Sequence, residues 1–313
     1  MIANINQFWN ITRELDINGL RENFERTVSL RVLGSDQAIA DRVARLIEPD
    51  PEAGEVSASV LGATSRERAD AYVVAIGGPL EADARRALSD LSVGDAPLLV
   101  VQSEAAAGML VLGIPDERII TLGAAEADEE VRDRLFKALV QAAPEVILSA
   151  GRRHPLLREP IAEHLIFDTS RVNAQFAAIA SLPAALPFFG AFVGDVADTI
   201  VLTKNQVLLL FKLAGLYGRD VQFGRELIFE ILPVVGGAFF WRTTARTLVG
   251  LLPPLLGLLP KTAVAYTGTF VVGQTARYYY RFGDRPPPEI ARELRQEAQR
   301  LAGTVLGRLP GRK

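Results

Sequence analysis

The chain has 313 residues, a length that fits two domains of ordinary size, and its 49% hydrophobic and 23% charged content excludes wholesale disorder. The absence of cysteine removes disulfides, thiolate metal sites and cysteine nucleophiles. A net charge of −3 hides a split: residues 1–170 carry 17 Lys/Arg against 28 Asp/Glu, or −11, while residues 171–313 carry 17 against 9, or +8.

Met1 to Asn10 has neither a basic start nor a long apolar run, so no secretory signal is expected there. Ile2 and the ending Gly311-Arg312-Lys313 match no lipidation motif. Residues 4–24 read as an amphipathic helix, with Ile5, Phe8, Trp9, Leu15 and Leu20 at helical spacing and Gly19 as a candidate break. Thr27 to Leu33 alternates and stops at Gly34, as a strand does, and a helix follows from about Asp36 to Ile47. Glu55 to Leu61 is a second strand candidate. Asp70 to Ile76 and Pro97 to Val101 are continuous apolar runs, the mark of buried parallel strands. Arg118 to Leu122 is the last strand candidate, and helices are expected near 81–91 and 125–142. Strands alternating with helices predict a doubly wound α/β domain over residues 27–150, preceded by an N-terminal helix over 1–26.

From about Pro155 the strand pattern stops, and residues 151–313 predict an all-α, strongly apolar domain. One long helix is expected over 155–180 and another over 195–217, ended by Gly218. Val172 to Gly194 is 23 residues without a charge. Thr247 to Pro260 and Thr262 to Ala276 are uncharged runs that could form a kinked or re-entrant hairpin around Lys261. Pro286-Pro287-Pro288 closes this part, and a polar helix over 289–302 precedes a basic tail.

The turn after the first strand reads Gly34-Ser35-Asp36-Gln37-Ala38-Ile39-Ala40-Asp41. A phosphate-binding P-loop needs G-x-x-x-x-G-K-[ST], whose backbone N–H groups cradle phosphate, whose Lys reaches it and whose hydroxyl holds Mg²⁺. Here Gly34 keeps the first position, but Ile39, Ala40 and Asp41 replace the second Gly, the Lys and the Ser/Thr. Asp36 and Asp41 add negative charge where a polyphosphate would sit. After the strand at 98–101 the chain reads Gln102-Ser103-Glu104-Ala105, where a guanine-reading N-K-x-D would stand. Ile76-Gly77-Gly78-Pro79 lacks the acid of an Asp-x-x-Gly, and Gly123-Ala124 occupies the place of a Ser-Ala. In its order of elements this half resembles an Era-like GTPase whose nucleotide-binding residues are degenerate. The resemblance implies a pseudo-GTPase that binds no nucleotide cofactor; some other doubly wound domain would share the same order.

In the second half, the run Asp195 to Gln206, the segment Leu213-Ala214-Gly215-Leu216-Tyr217-Gly218, the run Ala263 to Phe270 and the segment Gln274 to Tyr280 carry a further likeness. Together they resemble the bacterial helical domain of unknown function that follows GTPase domains, of the YcjF type. The opening Phe8-Trp9 and Arg13-Glu14-Leu15-Asp16 resemble the helix that precedes the GTPase domain in such chains. The resemblance implies membrane association and a link to GTPases, with no firm activity to carry over.

A basic half that is also the apolar half points to an anionic lipid surface or an acidic partner, and equally to attraction between the two halves. Val172 to Gly194 has the length of a membrane span, and Trp241-Arg242 and Tyr278-Tyr279-Tyr280-Arg281 set aromatics beside cations as interfacial anchors do. A soluble bundle of central helices, apolar nearly all round, is the competing reading. On the helix from Asp195, the residues Asp195, Asp198, Thr199, Asn205 and Gln206 share one face. They form either a polar seam at an ion, ligand or partner site, or a hydrogen-bonded network that fixes helix register.

His154 and His164, the two histidines, are not spaced as joint ligands, so no metal site is expected. No G-x-S-x-G elbow is present, and the basic tail lacks interleaved aromatics, so neither a hydrolase elbow nor nucleic-acid binding is expected. The sequence therefore predicts a non-catalytic, membrane-associated pseudo-GTPase at the cytoplasmic face of the inner membrane, an adaptor or scaffold for a sister GTPase or for its own copies. A GTP-binding hydrolase with an atypical site and a soluble cytoplasmic scaffold are the alternatives.

Overall fold

The structure, a computed structural model, describes residues 15–49, 56–62, 68–107, 114–123, 126–144, 146–179, 195–220 and 258–307, with 226, 227, 230, 231 and 234 between them. Two compact units emerge, Asn23–Ile161 and a second made of Ala162 onward with the described residues before Asn23. The border lies inside a helix at residues 161 and 162, eleven residues beyond the expected 150/151 boundary.

The first element is helix α1, Ile17–Glu25. Asp16 starts it: its carboxylate accepts from Gly19 N at 2.8 Å, and its carbonyl accepts from Leu20 N. Gly19 thus lies in the first turn and is no break. A Cβ there would come within 2.3 Å of the capping carboxylate, so glycine leaves room for the cap.

The α/β unit follows as β1 Leu30–Gly34, α2 Gln37–Ile47, β2 Val56–Val60, β3 Ala71–Ile76, α3 Ala82–Val93, β4 Leu98–Ser103, β5 Ile119–Leu122 and α4 Asp128–Ala142. Short 3₁₀ turns, Glu104–Ala106 and Asp116–Arg118, bracket the approach to β5. All five strands are parallel, in the order β2-β1-β3-β4-β5. Every residue of β3 is buried, which is why its sequence shows no alternation. Tyr72, Val74 and Ile76 pack with Leu33, Leu98 and Val100 against Ala84 and Leu88 of α3. The opposite face, with Leu30 and Ala71, meets Leu139 and Val140 of α4, leaving a cavity of about 20 Å³ lined also by Val28, Ile147 and Leu157. A short helix that the sequence did not suggest, α5 Ile147–Arg153, ends this unit. Its Ser149 hydroxyl donates to the Arg26 carbonyl, and Arg152 lies over the Phe24 ring at 5.7 Å.

Helix α6, Pro155–Ile179, carries Pro160 in its interior. Proline lacks the N–H that would bond one turn back, so the ladder is interrupted just before the border between units. Helices α7 Asp195–Leu216, α8 Leu258–Phe282 and α9 Pro288–Gly307 complete the described part of the helical unit. A Schellman motif ends α7: Gly218 has φ +87°, Gly218 N donates to Gly215 O and Arg219 N to Ala214 O. Helix α8 runs through Pro260 and Lys261 without turning, because a proline in the first turn removes a donor that has no partner there anyway. Among the described residues no turn falls at Lys261, and residues 247–257 of the expected hairpin lie outside them. The chain turns instead at Gly283, φ +78°, and α9 begins on Pro288. Among the described residues no helix is long and apolar enough to cross a membrane. Residues 180–194 and 247–257 of the candidate spans lie outside the described residues.

Candidate functional sites: the sheet switch point and a buried polar network

In an open parallel sheet, ligands bind at the carboxyl ends of the strands where the strand order reverses. Here that point lies between β1 and β3. Only Ser35 and Asp36 connect β1 to α2, so Ile39, Ala40 and Asp41 are helical residues and not parts of a wrapping loop. Ala40 is fully buried. Asp41 accepts from Gln37 Nε2 at 2.8 Å, one turn earlier on the same helix. Gly34 has a local reason to be glycine. A Cβ on it would lie 2.3 Å from Asp36 O and 2.7 Å from Ala40 N, both backbone atoms that cannot move aside cheaply.

The helix N-terminus, where a phosphate would be received, is occupied by the protein's own carboxylate. Asp36 Oδ1 accepts from Ile39 N at 3.0 Å as the N-cap. Around it the strand ends are tied together. Ser35 N donates to Ala75 O, Gly77 N donates to Ser35 Oγ at 3.0 Å, and Ser103 Oγ donates to Gly77 O at 2.8 Å. At the position of the guanine-reading motif, Gln102 is buried and donates through Nε2 to Thr121 Oγ1 at 3.1 Å, its own strand neighbour. Beyond β5, Glu126 accepts from Gly123 N at 3.1 Å and pairs with Arg134, which also donates to Thr121 O. The residues around these strand ends are thus bonded to one another.

The polar seam resolves differently. Helix α7 includes Asp195, Asp198 and Thr199, but the side chains of these three lie outside the described residues. Asn205 and Gln206 are described, and they join a network with two residues from other helices. Asn205 Nδ2 donates to Asn173 Oδ1 of α6 at 2.7 Å. Asn173 Nδ2 and Gln206 Nε2 both donate to Thr269 Oγ1 of α8, at 2.8 and 3.0 Å. The hydroxyl in turn donates a hydrogen bond to Ala265 O at 2.9 Å. Asn173 and Thr269 are fully buried and Gln206 nearly so. Satisfied in this way, the network locks three helices in one register, since any slip would leave buried amides unpaired. The sequence reading missed Asn173 and Thr269; Asn173 stands among other polar residues, Ser170, Arg171 and Gln175, and Thr269 beside Thr267, so neither stood out locally.

Other ionisable groups occupy separate places. His154 is buried with its Nδ1 against Glu48. His164, in the helical unit, is pushed below its ordinary value by burial, with Asp168 pulling it back and Arg171 adding to the fall. Burial lowers the Lys212 ammonium, again against Asp168. A cluster missed by sequence reading links Tyr279 to Glu230 at 3.0 Å and Glu230 to Arg219 at 3.1 Å. Among the described residues no group of acidic or histidine side chains converges as metal ligands would.

No protein-family model, curated protein or solved structure matches this chain.

Proposed function

We propose that this chain is a non-catalytic pseudo-GTPase, an adaptor or scaffold that associates with the cytoplasmic face of the membrane and presents its α/β unit to a partner such as a sister GTPase. The observation that carries the reading is the two-residue link between β1 and α2, capped by Asp36 on Ile39 N. A P-loop must wrap around a phosphate with free backbone donors. Here the wrap is too short, a carboxylate already sits on the helix end, and no Lys or hydroxyl stands at Ala40 and Asp41. The acidic first half would serve as the docking surface, and the basic, apolar second half would face anionic lipid.

The test is thermal unfolding with and without GTP and Mg²⁺. A nucleotide present at 100 times its Kd stabilises by about 2.7 kcal/mol, an easily measured rise in Tm. The proposal predicts no shift with GTP, GDP or ATP; a clear shift with GTP and Mg²⁺ would refute it. Fractionation of the expressed protein tests the second element, with recovery in the membrane fraction expected.

A further inference from the structure

We propose that the C-terminal end of α8 is the point at which the helical unit touches an anionic bilayer, through Tyr278, Phe282, Arg281 and Arg285. This rests on the membrane association proposed above and assigns it to a surface.

The run Tyr278-Tyr279-Tyr280-Arg281-Phe282 divides by helical geometry. Tyr279 and Tyr280 are committed within the unit: Tyr279 donates to Glu230, and Tyr280 stacks on Tyr217 with ring centroids 6.5 Å apart. Tyr278 and Phe282, four residues apart and so on one face, form the other pair, with centroids 4.5 Å apart. Phe282 is 58% exposed, the most exposed large hydrophobic of the described helical unit. The Arg281 guanidinium lies over its ring at 5.0 Å, and Arg285 is exposed just beyond the Gly283 turn. Residues 277–285 carry three arginines against Asp284, whose carboxylate accepts from Arg285 N; Arg277 is paired with Glu163. An exposed ring under a guanidinium, backed by the half-buried Tyr278, has the chemistry of the membrane interface, where rings reach the acyl boundary and cations meet anionic headgroups. The +8 charge of residues 171–313 attracts such a surface at longer range.

The experiment is flotation of the full chain with vesicles of phosphatidylcholine alone, or phosphatidylcholine with phosphatidylglycerol. Wild type is expected to float with the anionic vesicles and poorly with the neutral ones. Phe282→Ser should lower partitioning by about tenfold, the loss expected for one large apolar side chain. Arg281→Glu with Arg285→Glu should lower it by at least about fivefold per residue on anionic vesicles and leave the weak neutral binding unchanged. Val93→Ser, which removes an 84% exposed side chain from the α/β unit, should change nothing. All these positions are exposed, and circular dichroism of each variant serves as the check that it folds. Floating of the wild type with equal floating of the variants would overturn this assignment while leaving membrane association standing. Failure of the wild type to float with any vesicle would overturn both. Loss of self-association in the Phe282 variant with unchanged vesicle binding would assign the patch to a second copy and refute the lipid reading.

Discussion

Replacing Thr269 by valine removes one hydroxyl and tests the buried network. Valine nearly keeps the volume but offers a methyl where two amides need an acceptor. Asn173 Nδ2 would lose its 2.8 Å bond and keep only the 3.5 Å approach to Leu202 O; Gln206 Nε2 would lose its 3.0 Å bond. A buried donor left without its acceptor costs about 1–3 kcal/mol. With the residual contact of Asn173 counted, the sum expected is about 2–4 kcal/mol. For a unit of this size that corresponds to a Tm lower by roughly 5–10 °C. Thermal and urea unfolding followed by circular dichroism would measure it. Asn173→Leu in the same background closes a double-mutant cycle. Because the two residues share a bond, the pair should cost less than the sum of the singles by at least about 0.5 kcal/mol. A Thr269→Val variant within about 0.5 kcal/mol of wild type, or strict additivity in the cycle, would refute the account of the network as a register lock.

Three further outcomes follow from close packing and burial. Gly34→Ala should destabilise the α/β unit by about 3 kcal/mol because its Cβ meets backbone atoms, while Gly78→Ala, with nothing within 4 Å, should stay within about 0.5 kcal/mol in urea unfolding. Gly273→Ala should cost about 1–3 kcal/mol, since its Cβ would lie 2.7 Å from Ile166 Cγ1. Adding Ile166→Ala should recover part of that loss, read from the same unfolding curves. Tyr266 is pushed up to about 12, first by burial and then by Glu297, and its hydroxyl has no hydrogen-bond partner among the described residues. A folded value above the unfolded one means the stabilising contribution is whole below pH 10 and is lost as pH rises through about 12. Tyr266→Phe should therefore be neutral or stabilising at pH 7 and should flatten the alkaline loss of stability between pH 10 and 12.

Much of the fold was legible in the residues themselves. Ala71–Ile76 and Leu98–Ser103 announced themselves because strands covered on both faces have no polar side to interrupt them. Helix α5 was missed because it is a short segment containing Gly151 and closely followed by Pro155, too brief for a periodic pattern to register. Lys261 misled as a turn marker, since a single cation in the first turn of a helix is compatible with continuing it. At the switch point, Asp36 read as a charge hostile to phosphate. Its position just before a helix was also the signal of an N-cap, and that is the role it plays. Asn205 and Gln206 were visible as polar residues on an apolar helix, but their partners are not local. Asn173 and Thr269 are 96 residues apart in sequence, and no periodicity connects them.

The Asp36 cap has a consequence for signalling. A nucleotide switch works because its anion comes and goes: the terminal phosphate orders a segment, hydrolysis releases it, and the partner reads two shapes. At the end of α2 the anion is covalently part of the chain, so its occupancy does not follow the nucleotide pool or any exchange factor. On the pseudo-GTPase reading proposed above, that end of the α/β unit has no clock. A partner docking there would meet the same surface at every energy state of the cell, and its binding would be timed by the partner's own cycle or by where the helical unit holds the chain.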